Sequence, residues 1–338
     1  MQFCNFIRVS PPALALTFTL AAASPITWTE YQGPSPGARA AGLSGCLATA
    51  IDEPTMIFWN PAGLGVMASP IFNLSYQHSS GLLHNPVFSG PKRVDYVSFA
   101  SHGAGLAWRS LVRYRETSTS GQGGDTSFLY RRYGADEFSL ALARHNEENG
   151  WSLGMAGKLI WARAAEVDQL KTGGSWNLCN IRDDHGYGYG LDLGIQGSYQ
   201  VWRVGLSLRN LLGRVHWTEF EDDRLKPQIS GGLSWHRQQK LVLSAGGEKF
   251  LGEGAPRLRY SAAGEYRHIV ANMGAAIFRG GYSQTYQGPK DGYSWSLGLG
   301  YFYRRFRIDA AGVNKLDPAS QQWRWSYVGS INLFTEQN

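Results

Sequence analysis

The chain has 338 residues, of which 43% are hydrophobic and 13% aromatic but only 17% charged, against about 25% charged in an ordinary soluble domain. The formal net charge of +6 is scattered singly along the chain with no long basic run, which argues against nucleic acid as a partner. A mean hydropathy of -0.28 reads as soluble, but a membrane barrel reads the same way, because only every second strand residue faces lipid.

Residues 1–23 have the form of a secretory signal. Arg8 gives a weakly positive start, Ala13 to Ala23 a short apolar run, and Ala21-Ala22-Ala23 a small-residue cleavage site. The apolar run is too short to cross a bilayer as a helix. Leu43-Ser44-Gly45-Cys46 looks like a lipoprotein cleavage box, but it stands too far beyond the apolar run to be cut as one. The other cysteines are Cys4, inside the signal, and Cys179. Cys46 and Cys179 have neither metal-site spacing nor a CxxC pattern, and a disulfide between them is left open.

Residues 24–69 form a second unit, rich in Gly, Ala and Pro and too short to fold alone. They are expected to pack as a plug inside a barrel formed by the rest of the chain. Thr55 to Leu64 suits one or two helical turns, with Pro61 and Gly63 ending the helix.

Residues 70–338 settle into alternating segments. In 293–303, Tyr293, Trp295, Leu297, Leu299, Tyr301 and Tyr303 share one face, opposite Ser294, Ser296, Gly298 and Gly300. The apolar face is aliphatic in the middle and aromatic at both ends, as a lipid-facing strand requires. Segments 151–161, 187–199 and 202–209 repeat the pattern. Strands are expected near 70–78, 93–101, 104–113, 136–144, 150–163, 187–199, 201–211, 226–236, 239–248, 257–267, 269–279, 293–303, 306–314 and 324–334. The connections then alternate between short turns and long loops, among them 114–135 and 164–186, as in bacterial outer-membrane barrels. The expected fold class is all-β: a transmembrane antiparallel barrel of about fourteen strands with an N-terminal plug, in the outer membrane of a Gram-negative bacterium. The aromatic Phe334 near the end of the last strand resembles the signal read by the barrel assembly machinery.

The opposite strand faces carry charges: Lys158, Asp192, Arg203, Arg209, Glu248, Glu265, Arg307 and Asp309, with Arg257, Arg259 and Arg267. Inside a membrane protein such groups must face water or one another, so they read as ion-pair ladders that hold the plug, with Arg39 as a latch onto a lumen carboxylate. No enzyme is expected. His78 and Ser79 are adjacent on a strand and point to opposite faces, and no acid is placed to serve His78 and Ser80. The histidines show no metal spacing, and no cofactor is implied.

The stretch Gly37-Ala38-Arg39-Ala40-Ala41-Gly42-Leu43-Ser44-Gly45, the Asp52-Glu53 pair and Trp59-Asn60-Pro61-Ala62-Gly63-Leu64 resemble the N-terminal segment of the FadL/PorV-like outer-membrane superfamily. Asn210-Leu211-Leu212-Gly213 and Leu225-Lys226-Pro227 resemble later motifs of the same group. The resemblance implies a fourteen-stranded barrel with a plug, and two alternative roles. FadL-type members are gated passages for hydrophobic small molecules such as long-chain fatty acids. In that case Arg39, Trp59, Asn60, Pro61, Ala62 and Gly63 are the gating motif, and a lateral opening or a greasy internal pocket is expected. PorV-type members bind or carry cargo with secretion-system proteins, with partners on the loops 114–135 and 164–186. A structural barrel with outer-membrane lipid as its partner and no transport role is the third reading.

Overall fold

The computed structural model describes residues 36–79, 93–122, 125–172, 175–238, 240–252, 258–270, 273–287, 290–316 and 322–335. The expected signal, the first part of the plug segment, Arg257, Ser80 and the side chains of His78 and Ser79 lie outside them.

Fifteen strands follow one another: β1 (Ile71–Ser79), β2 (Arg93–Ser101), β3 (Ala104–Gln122), β4 (Asp125–Asn146), β5 (Trp151–Thr172), β6 (Ser175–Tyr199), β7 (Trp202–His216), β8 (Asp223–Arg224), β9 (Gln228–Arg237), β10 (Leu241–Phe250), β11 (Leu258–Val270), β12 (Gly274–Gln287), β13 (Lys290–Tyr303), β14 (Phe306–Leu316) and β15 (Trp323–Phe334). All pair antiparallel with their neighbours. β1 pairs with β15, Ile71 opposite Phe334, which closes a ring of fourteen; β8 is a short appendage of β7. Closure removes the free edges a membrane cannot tolerate.

Period-two alternation sorts the side chains. On β5, Trp151, Leu153, Met155, Leu159 and Trp161 point outward and stay exposed, while Ser152, Ala156, Lys158 and Ile160 are buried in the lumen. From Trp151 to Trp161 a strand rising about 3.3 Å per residue and tilted about 40° climbs about 25 Å, the height of the apolar band of a membrane barrel. Trp161 meets Tyr187 of β6 at 5.7 Å between ring centres, marking the upper aromatic girdle. The short turns mark the lower end of the barrel.

The expected loops 114–135 and 164–186 are instead strand. β3 and β4 stay paired as far as Gln122 and Asp125, and β5 and β6 as far as Thr172 and Ser175. The same holds at 280–287, which belongs to β12. Above the girdle both sheet faces meet water, so the apolar alternation that marks a strand fades while the backbone ladder continues. The turn expected near 268 falls after Val270, because β11 runs further than its alternation suggests.

Residues 36–69 lie inside the ring. They carry two short helices, α1 (Ala38–Gly42) and α2 (Met56–Trp59), and a 3-10 helix over Pro61–Val66. The α-helix stops at Trp59, before Pro61 as expected, but Gly63 does not end a helix: it lies inside the 3-10 helix that Pro61 begins. Asn60 is extended, its side-chain oxygen accepts the Ala62 N–H at 3.2 Å, and Pro61 starts a second helix at the position where a missing N–H does no harm. Leu47, Met56, Ile57, Trp59, Leu64 and Met67 form this segment's core against Ile71, Tyr96 and Ala100 of the wall.

Candidate functional site

The lumen is built in layers, and the lowest is the N-terminal segment tied to the wall. Arg39 makes a two-pronged contact with Glu265 of β11, both N–O distances 2.9 Å. Glu265 also accepts from Arg279 of β12 at 2.6 Å, and Arg279 reaches Asp309 of β14 at 2.7 Å. Asp309 accepts from Arg307 at 2.9 Å, and Arg307 returns to the segment through Glu53 at 2.8 Å. Six charged groups thus form one chain from the segment to three strands and back. Buried ions of this kind are stable only when every partner is present.

Hydroxyls and amides complete the attachment. Ala38 N–H donates to Ser330 Oγ (2.7 Å), Thr49 to Ser234 (2.9 Å), Cys46 Sγ to Ser261 Oγ (2.9 Å), and Ser207 to the Trp59 carbonyl (2.9 Å). Asn60 donates to the carbonyls of Ala48 (2.8 Å) and of Ile195 in β6 (3.2 Å), joining the segment to itself and to the wall. Gly154 and Gly194 let this turn touch the wall: a Cβ on Gly154 would collide with the backbone of Pro61 and Ala62, and one on Gly194 with the Asn60 side chain. Two polar voids of about 20 Å³ remain beside Cys46 and Thr49, each room for about one water. Cys46 is buried, Cys179 exposed, and both are free, so the disulfide left open by the sequence does not form.

Above the segment lies a charged collar. The Phe58 ring is held between the guanidiniums of Arg109 (4.5 Å) and Arg209 (4.3 Å). Arg109 pairs with Glu137 at 2.9 Å, and Arg209 meets Gln228 at 2.6 Å and Glu248 at 3.7 Å. Lys158 pairs with Asp192 at 2.6 Å and donates to Asn210 at 2.9 Å, while Asp192 accepts the Asn210 N–H. The Asn210-Leu211-Leu212-Gly213 motif bulges here. Asn210 (φ 58°) and Leu212 (φ 57°) are left-handed, a conformation an asparagine tolerates and a leucine rarely adopts. Arg203 stands apart near the lower rim, against His236 at 3.4 Å.

Of the eleven charges named from alternation, Arg257 lies outside the described residues; Lys158, Asp192, Arg209, Glu248, Glu265, Arg307 and Asp309 stand on the inner face in networks, joined by Arg259 on Glu248 at 3.3 Å and on the Ser44 carbonyl at 2.9 Å. Glu53, quoted only as part of a motif, and Arg109, Glu137 and Arg279, not named among the inward charges, complete those networks. Arg109 and Glu137 fall in ordinary alternating segments, and their inward phase was the available signal.

The third layer is apolar. Leu111, Tyr133, Ala135, Ile160, Ala162, Ala164 and Val215 from four strands cluster with Trp217, Phe220 and Leu225.

Among the described residues, the β2–β3 ladder ends at the collar. β2 and β3 pair from Ser101 opposite Ala104 up to Tyr96 opposite Arg109 and no further. β3 then bulges at Leu111, where its register against β4 shifts between Ser110 and Val112. A bulge bends its strand and ends local pairing. Just below the end of the ladder, the outer wall holds an apolar depression of about 500 Å³ lined by Phe72, Phe99, Leu106, Trp108, Phe138 and Leu159, with Gly157 at its edge.

These features define a class: a closed antiparallel barrel with an enclosed N-terminal segment and a β2–β3 ladder that ends at the collar. No protein-family model matches the sequence, and no curated protein matches it. Solved structures share the fold. A Pseudomonas aeruginosa FadL homologue aligns at a TM-score of 0.62 and 11% identity, over 89% of this chain and 98% of its own. The CymD monoaromatic hydrocarbon channel aligns at 0.60 and 13%, over 91% and 98%. The Pseudomonas putida toluene transporter TodX aligns at 0.59 and 12%, over 91% and 100%. The chain thus has the barrel fold of FadL-type outer-membrane transporters.

Proposed function

We propose that the protein is a passive channel for hydrophobic small molecules in the outer membrane of a Gram-negative bacterium, with residues 36–69 as a fixed plug. The end of the β2–β3 ladder carries this reading. The ladder there ends beside the apolar third layer and next to an apolar depression on the outer face, which supports a sideways opening at that point. The axial route offers an apolar molecule the opposite: a collar of buried ions and then a plug bonded on several sides. A hydrophobic molecule does not displace paired ions, because the partners left behind would be desolvated without compensation. It moves sideways into lipid instead.

The solved structures described as toluene and monoaromatic hydrocarbon channels support a neutral hydrocarbon as substrate; the family resemblance supports a long-chain fatty acid. Purified protein in lipid vesicles separates them. Vesicles bearing the barrel are expected to take up a neutral hydrocarbon, a fatty acid or both faster than protein-free vesicles, and a deletion strain is expected to lose the same uptake. Equal rates with and without the barrel, for both substrate classes, would overturn the reading.

A further inference from the structure

We infer that residues Trp217 to Asp222 are a lid whose two rings occupy the binding pocket for an uncharged aromatic molecule, and that Asp184 is the latch that holds the lid shut. The inference rests on the proposed channel function and adds a pocket, a ligand shape and a gating residue to it.

The pocket is the apolar third layer. Leu111, Tyr133, Ile160, Ala164 and Val215 project into the lumen above the collar. The space between them is filled by the connection after β7, which folds inward. Trp217 lies 5.6 Å from the Tyr133 ring and 6.0 Å from Phe220, the latter edge to face. Trp217 and Phe220 are 8% and 7% exposed, although they sit in a surface connection. The indole rests on Gly186, where a Cβ would come within 3.0 Å of the ring. The wall is shaped to take an aromatic ring at that point. The clustered side chains are apolar or aromatic, and the charges at their margin are already engaged: Asp223 takes the indole N–H at 2.8 Å and the Arg182 guanidinium lies 5.7 Å from the Phe220 ring centre, so a neutral ring replaces a ring there.

Three carboxylates hold the connection down, Asp184 from the wall and Asp222 and Asp223 within the chain that follows, where Asp222 also meets Arg214 and His216 of β7, each at 2.8 Å. Asp184 Oδ2 on β6 accepts the backbone N–H groups of Thr218 (3.0 Å), Glu219 (2.6 Å) and Phe220 (3.3 Å). Asp222 accepts from Trp217 N–H at 3.2 Å, and Asp223 takes the indole N–H at 2.8 Å. Thr218, Glu219 and Glu221 are exposed, and the segment lies outside the ladders, between the end of the β6–β7 pairing at Tyr187 opposite His216 and the two-residue β8. A segment held by few bonds opens at low free energy. The rings and a ligand then compete for one pocket.

The test uses the full mature barrel in lipid nanodiscs with radiolabelled naphthalene as the probe. Saturable binding is expected, together with hydrogen exchange of the 217–222 amides about tenfold faster, as a ligand selecting the open state requires. Amides of 38–64 are expected to be unchanged. The double variant Trp217→Ala/Phe220→Ala removes the competitor and is expected to bind about tenfold tighter. Asp184→Ala, which leaves both rings in place, is expected to tighten binding in the same direction, and it serves if the double variant misfolds. Binding with the lid amides still protected, or weaker binding by both variants, overturns the lid and leaves the channel reading standing. No saturable binding while naphthalene uptake persists also overturns it. Absence of both naphthalene binding and naphthalene uptake in vesicles overturns the lid, and it overturns the channel reading only when fatty-acid uptake is absent as well.

Discussion

The lower and upper halves of the lumen are closed by different forces. The lower half is filled by a segment bonded on several sides, through Glu265, Arg279, Asp309, Arg307 and Ser207, with backbone pressed against Gly154 and Gly194. The upper half is filled by two aromatic rings on a short connection latched to the wall at Asp184. Interlocked ion pairs fail only together and so make a fixed closure, whereas a few amide bonds over an apolar pocket make a closure that a competing ligand can open. A passage with one fixed and one movable end needs an exit between them, and the β2–β3 ladder ends there.

The comparison is broken most severely at its strong end. Glu265→Ala leaves Arg39 and Arg279 without their shared carboxylate, and removing one member of a buried pair costs about 3–5 kcal/mol. Denaturant unfolding of the detergent-folded protein is expected to show that loss, with proteolysis admitted within residues 38–53. An unchanged midpoint would mean the network carries no stability.

At the weak end, Asp184→Ala removes the acceptor of three amides, which at about 1–3 kcal/mol is expected to appear as local opening. Exchange of the 217–222 amides should rise while the unfolding midpoint stays nearly constant. A large global loss would instead place the connection in the structural core.

Acid sharpens the same contrast. Burial works against the Asp184 charge, but the N–H groups of Glu219, His185 and Phe220 outweigh it and hold its carboxyl below the usual carboxylate range. Arg182, Asp183 and His185 on its own strand, Arg163 on β5, Arg214 and His216 on β7, and Glu219, Glu221, Asp222 and Asp223 in and after the lid are the other charged or titratable groups around it. A lowered value means the latch contributes fully above the ordinary value of about 3.9 and is lost as pH falls through the depressed one. Lid exchange is therefore expected to be flat from neutral pH to about pH 5 and to rise only in stronger acid. A rise already near pH 6 would point to a histidine instead.

The smallest effect belongs to the surface. Arg163 and Asp183 make a close pair at 2.6 Å, but both are largely exposed, and water screens such pairs so that they add little to stability. Arg163→Ala is expected to leave the unfolding midpoint within error.

The barrel was legible because lipid on one side and a packed lumen on the other impose alternation, as on β5 from Trp151 to Trp161. Where both faces meet water, from Arg163 to Thr172 or Arg182 down to Ser175, the alternation stops, and these strands read as loops. The inward charges were legible by phase alone. Their partners were not, because pairing such as Arg39 with Glu265 joins residues 226 positions apart. The stop at Pro61 was legible, since α2 ends at Trp59, but the second helix that Pro61 begins was not: Asn60 caps the turn after it, and Gly63, read as a terminator, lies inside that turn. The lid gave no periodic signal, because Trp217 and Phe220 are buried by the fold of a connection.

The exit between the two halves is tested most directly by deleting Leu111, the extra residue of the β3 bulge, and measuring naphthalene uptake into reconstituted vesicles beside Glu265→Ala. A sideways exit predicts that the deletion, by restoring the β3 register, abolishes uptake, while Glu265→Ala leaves it unchanged. Uptake that survives the deletion and rises in Glu265→Ala would show that the molecules pass through the plug, and would contradict the account.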